Sequence, residues 1–329
     1  MIQTNLALKK LNGIKPKGVK LWDDTNLEVL LSVEQKVFER FYACDTESEQ
    51  KFYLDLIQRS DDRRKFYGRS FREILSGWLD DLFRDFCFSE QDLTDYIFTR
   101  SGDDDLKFPD SLITGFYSGC LLSRLTDQNQ QQNKQTEIVL SGVNNSFNYL
   151  FYFAKNLDRL FVDGFRGYRL CSHLGDFGTF NVCSITNCKG DYVADQVKSD
   201  QENPRLFVLV NHKGNDGVRN QCIPKGGLFV SYGCEGSWAP YYSDAADYAF
   251  IGERINEIIS GESVVRPHQP HFRSRQKITK KLFNNNESFR ILNLTKEISK
   301  SSPEEIVKLA NEIYNINKQR YEREWRKQT

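Results

Sequence analysis

Two tyrosines closely followed by glycine are the residues most able to do chemistry in this chain. One closes "IPKGGLFVSYG" (223–233), where an apolar run ends on Ser231-Tyr232-Gly233; the other is Tyr117 in "LITGFYSG" (112–119), with Gly119 behind it. A phenol at the end of a short strand offers one donor and an acceptor to a ligand. A glycine beside it lets backbone and ligand approach closely. A third segment, "NVCSITNC" (181–188), carries Asn181 and Asn187, whose amides pair donor with acceptor, and it also fits a turn that tolerates unusual backbone angles. Cys183 and Cys188 are too widely spaced for a zinc knuckle. His173 and His212 have no second ligand at metal spacing and read as structural or exposed. "SGDDD" (101–105) reads as an acidic turn without the spacing of a calcium loop.

The elements that must hold these residues change character along the chain. From Phe71, "FREILSGWLDDLFRDF" places apolar residues at 71, 74, 75, 78, 79, 82, 83 and 86, the stripe of an amphipathic helix. "LEVLLSVEQKVFERF" repeats that register through Leu30, Val33, Val37, Phe38 and Phe41. From about Tyr96, the runs "DYIFT", "SLITGFYSG", "NYLFYFA", "RLFVDGF", "RLFVLV" and "GGLFVSYG" suggest short strands joined by tight turns. "DQNQQQNKQT" (127–136) reads as an exposed loop, and "YYSDAADYAFIGERINEIISG" (241–261) as a helix. A last helix starts at Ser302-Pro303 with a capping box to Glu305, and its apolar face holds Ile306, Leu309, Ala310 and Ile313. No internal repeat of solenoid period is apparent. The expected organisation is an α+β chain: a helical region over 1–92, a β-rich domain over 93–242, and a helical region with a basic segment over 243–329.

With 329 residues, 39% hydrophobic and 13% aromatic, the chain can bury a large core and is not expected to be disordered. Its 45 basic and 45 acidic residues cancel, so any charged surface is local. No apolar run approaches the roughly 20 residues of a membrane span, and the start lacks a signal-peptide pattern. The eight cysteines then read as reduced buried thiols. A nuclear or cytoplasmic location is expected.

Taken in order, the motifs between about residues 94 and 240 resemble a SET domain, the fold of most protein lysine methyltransferases. Tyr117 and Gly119 match a Tyr-x-Gly strand, Asn181, Asn187 and Cys188 match the Asn-x-x-x-x-x-Asn-Cys segment, and Tyr232-Gly233 match the closing Tyr-Gly. The resemblance implies Tyr232 and Tyr117 as catalytic phenols. It also implies S-adenosylmethionine held by Asn181, Val182, Gly102 and Trp238. Such a site would hold a neutral amine against a methyl sulfonium in a dry channel. The departures are Val182 in place of the motif's histidine, Thr186 in place of its proline, and only Gly102 where a Gly-x-Gly is expected. An alternative register places Ser172-His173 on the cofactor motif.

Two functions follow from this reading. One is a divergent lysine methyltransferase acting on a protein such as a histone. The other is a catalytically inactive SET-like module serving as a protein or nucleic-acid scaffold. The segment "RPHQPHFRSRQKITKK" (266–281), basic with aromatic and histidine residues interleaved, adds an expected nucleic-acid contact.

Overall fold

A computed structural model of the chain describes residues 25–43, 67–84, 86–102, 106–143, 145–176, 178–199, 203–215, 226–234, 248–251 and 285–325. Both striped segments form helices. In α1 (Asn26–Tyr42) the Thr25 side chain accepts the Glu28 N–H and Glu28 returns to the Thr25 N–H, closing a capping box. Leu30, Val33, Val37 and Phe41 are its buried face. Helix α2 (Tyr67–Leu82) buries Phe71, Leu75, Trp78 and Leu79.

The next two elements are helices where strands were expected. "DYIFT" lies within α3 (Glu90–Arg100), which Ser89 and Asp92 start with a second capping box. "SLITGFYSG" lies within α4 (Asp110–Gln131), which also takes in the first half of the 127–136 segment read as a loop. Strand propensity loses here because α4 is buried on nearly all sides, as an unbroken run from Ser111 to Leu122. Such a helix shows no polar face to reveal its period.

After α4 the chain winds into a parallel β-solenoid. Strands β1 (Glu137–Ser141), β2 (Arg159–Asp163), β3 (Val182–Thr186), β4 (Arg205–Val210), β5 (Gly227–Tyr232) and β6 (Tyr248–Ile251) form one sheet in sequence order. Every neighbouring pair is parallel. Partners lie 20 to 24 residues apart: Glu137 opposite Arg159, Arg159 opposite Val182, Val182 opposite Leu206, Leu228 opposite Tyr248. Each interval is one coil. This overturns the reading that no repeat of solenoid period exists. It also replaces the expected 241–261 helix with a strand over Tyr248–Ile251, the rest of that segment lying outside the described residues.

Three rows of residues keep the coils in register. At the corners after β2 to β5, Gly164, Asn187, Asn211 and Gly233 all have φ between 53° and 76°. Only glycine and asparagine enter that region readily. The two amides are also linked, Asn211 Nδ2 donating to Asn187 Oδ1 at 2.9 Å and Asn187 Nδ2 to Asp163 Oδ1 at 2.7 Å. Three residues on, Gly167, Gly190 and Gly214 stack so closely that a Cβ on Gly190 would lie 1.8 Å from the Gly167 carbonyl oxygen. The third row has alternating left-handed residues, with Tyr149, Phe151 and Phe153 repeated by Arg169, Cys171 and His173, then by Tyr192, Ala194 and Gln196. Thus "NYLFYFA" is a turn-rich side of the first coil, not a strand.

Inward residues of the strands, such as Leu160, Ile185, Leu209 and Phe229, join the main core. Outward residues, such as Val182, Leu206, Val208 and Leu228, are covered by α5 (Asn285–Ile298) and α6 (Pro303–Trp325). The expected face of α6, Ile306, Leu309, Ala310 and Ile313, is buried there. Asn317 fixes its position by donating to the carbonyls of Arg205 (2.8 Å) and Gly226 (2.9 Å), in consecutive coils. Helix α4 closes the first-coil end of the solenoid. The first coil's Phe151 and Lys155 N–H groups, which have no earlier coil to pair with, donate to Ser118 Oγ (2.9 Å) and Ser123 Oγ (2.8 Å). Gly115 and Gly119 permit this approach, because a Cβ on either would lie 2.3 Å from the first coil.

Candidate functional site

The described residues singled out in the sequence lie on different elements of the molecule. Tyr117 is fully buried on α4, and its hydroxyl donates to the Leu30 carbonyl at 2.7 Å. Burial, with the Glu34 carboxylate nearby, raises its pKa well above the ordinary tyrosine value. Tyr232 ends β5 with its ring half-buried against the face that α5 and α6 cover. Gly233 behind it forms the left-handed corner. Asn181, one residue before β3, donates to Asp158 Oδ1 at 3.4 Å, a long hydrogen bond. Val182 is buried beneath the C-terminal helices. Gly102 sits in an exposed turn after α3, with open space where a side chain would project. Trp238 and the basic segment 266–281 lie outside the described residues.

Tyr117, Asn181 and Tyr232 are far apart. Tyr232 pairs through Val210 with Thr186, five residues along the strand from Asn181 and two strands across. At about 3.3 Å per residue and 4.8 Å per strand, that is about 19 Å. Tyr117 lies beyond the first coil, four strand spacings or about 19 Å from the fifth. The sequence pattern has another cause: Asn187 takes the corner and Cys188 turns inward, fully buried. In the alternative register, Ser172 donates to the Tyr192 carbonyl, and His173 stacks on Phe153 with ring centroids 4.0 Å apart. Burial lowers the pKa of His173 well below the usual histidine value and that of His212 below it too. The thiols of Cys120 and Cys188 are free and buried, and burial pushes both up to about 12, far from a reactive thiolate. Among the described residues no cluster of three or more His, Cys, Asp or Glu is placed to hold a metal.

Two polar constellations escaped the sequence reading. The first is buried between the helices. Glu34 on α1, with no exposed surface, accepts from Tyr96 Oη (2.7 Å), Thr114 Oγ1 (3.0 Å) and Arg100 Nε (2.7 Å), and Arg100 Nη2 lies 2.5 Å away. A carboxylate this well paired acts as a structural staple for α1, α3 and α4. Its signal in the sequence was a glutamate four residues after Leu30 on the apolar stripe.

The second is on the surface. Ser146, Arg166, Lys189 and Lys213 occupy one position in four consecutive coils, each bridged in parallel to the next. The three cations are all exposed. The glycine row runs alongside them, then the half-exposed Tyr168 and Tyr192, whose ring centroids are 5.5 Å apart. The Arg169 guanidinium lies 5.5 Å and 5.1 Å from those two ring centroids.

No family model matches the chain, and neither a curated protein nor a solved structure matches it. The backbone defines an α+β chain in which helices close one end and cover one face of a parallel β-solenoid. Among the described residues no helix is long and apolar enough to cross a membrane.

Proposed function

We propose that this chain is a non-catalytic interaction scaffold, the second of the two functions expected from its sequence. The observation carrying this reading is the use made of the expected catalytic groups. The Tyr117 hydroxyl is committed to a helix carbonyl, Asn181 to a neighbouring coil, and Val182 to packing beneath a helix. The Tyr117 hydroxyl and the Val182 side chain are enclosed in the fold rather than facing a substrate. The rigid rows of the solenoid instead display one surface position repeatedly, which suits an extended partner better than a small molecule.

Titration calorimetry with S-adenosylmethionine at up to millimolar concentration tests the proposal. A flat trace is expected. Saturable heat, lost on substituting Asn181→Ala, would favour methyl transfer and remove the scaffold reading.

A further inference from the structure

We infer that the exposed row Arg166–Lys189–Lys213, with the Tyr168 and Tyr192 rings beside it, is a binding surface for single-stranded nucleic acid; this rests on the scaffold reading. The chain carries no net charge, so three cations on one line are a local concentration rather than a general excess. Their spacing is set by the backbone ladder: Gly167 N–H donates to the Lys189 carbonyl and Gly190 N–H to the Lys213 carbonyl, both at 2.9 Å. The row is therefore pre-organised, and long side chains of this kind can adjust to successive phosphates. Beside it, Gly167, Gly190 and Gly214 carry no side chain and are partly exposed. The acidic residue in the adjoining row, Asp191, has one carboxylate oxygen occupied by the Asn215 N–H at 2.7 Å. The half-exposed tyrosines favour a nucleic acid over an acidic peptide, because a base has a flat face to lay against a ring and an acidic side chain has none.

The test is fluorescence anisotropy of a labelled 15-nucleotide oligo-dT with the full chain, between 50 and 200 mM NaCl. Each cation contacting a phosphate contributes about 0.7 to the slope of log K against log salt for a single strand. Lys189→Gln should lower that slope by about 0.7 and weaken binding several-fold at 50 mM. Lys155→Gln, an exposed lysine outside the row, should change neither. An unchanged urea midpoint for Lys189→Gln verifies that the variant is folded. No binding by the full chain, equal binding by Lys189→Gln, or equally effective competition by polyglutamate would each overturn the assignment. With a flat S-adenosylmethionine titration, those outcomes reject the ligand and leave the scaffold; saturable methyl-donor heat rejects the scaffold itself.

Discussion

Gly190→Ala should unfold this protein far more readily than its size suggests. The added methyl would sit 1.8 Å from the Gly167 carbonyl oxygen and 2.7 Å from its carbon, both rigid backbone. Reaching an ordinary contact requires the two coils to separate locally by more than 1 Å. The hydrogen bonds holding them there, Gly167 N–H to Lys189 O and Lys189 N–H to Phe165 O, are both 2.9 Å long and would break. Each is worth about 1 kcal/mol net. The φ of +148° adds about 1–3 kcal/mol for a residue with a side chain. The total is a loss of roughly 3–5 kcal/mol. Gly77→Ala is the internal comparison: Gly77 lies inside α2 with nothing within 4 Å of its missing Cβ, so alanine should stabilise by about 0.8–1 kcal/mol. Urea denaturation followed by far-ultraviolet circular dichroism measures both. If Gly190→Ala held its midpoint within about 0.5 kcal/mol of the wild type, the coils would not be stacked as described.

Two further predictions concern groups the fold has buried. Glu34→Gln removes the fully buried carboxylate charge that Arg100 faces, and should cost about 3–5 kcal/mol in the same denaturation assay. Burial depresses the pKa of His173, so the unfolded chain takes up a proton there before the folded one does. Stability is thus fully present above about pH 6.5 and falls below it by about 1.4 kcal/mol per pH unit from this residue, until the folded pKa is reached. His173→Phe, which copies Phe153 one coil earlier, should remove that part of the acid slope; an unaltered slope between pH 5 and 6.5 would refute the assignment.

The helices at the start were legible because α1 and α2 each leave one face in water, which prints a period on the sequence. Helix α4 was not, since burial on almost every side removes the polar half of the pattern. The strands "RLFV" and "GLFVSY" were visible as apolar runs, but their stacking was missed. The repeat is present in "LFVDGFRG" (160–167), "CSITNCKG" (183–190), "FVLVNHKG" (207–214) and "FVSYGCEG" (229–236). It is obscured because the corner accepts either glycine or asparagine and the inward position accepts Phe, Cys or His of quite different volume. The coil length also varies from 20 to 24 residues. The Tyr-Gly and Asn-Cys pairs that resembled a cofactor site are two instances of this one corner. A left-handed backbone angle selects the same small residues as a close ligand would, and a sequence alone does not separate those causes.

The separation of Asn181 from Tyr232 distinguishes stacked coils from a shared site most directly. Nitroxide-bearing side chains introduced at those two positions, without disturbing the cysteines, allow their distance to be read by dipolar broadening of the continuous-wave spectrum at short range and by pulsed double electron–electron resonance beyond it. Stacked coils predict a backbone separation of about 19 Å. A value of roughly 5–10 Å, as for residues facing each other across one or two strand spacings, would contradict the solenoid and return both residues to a shared site.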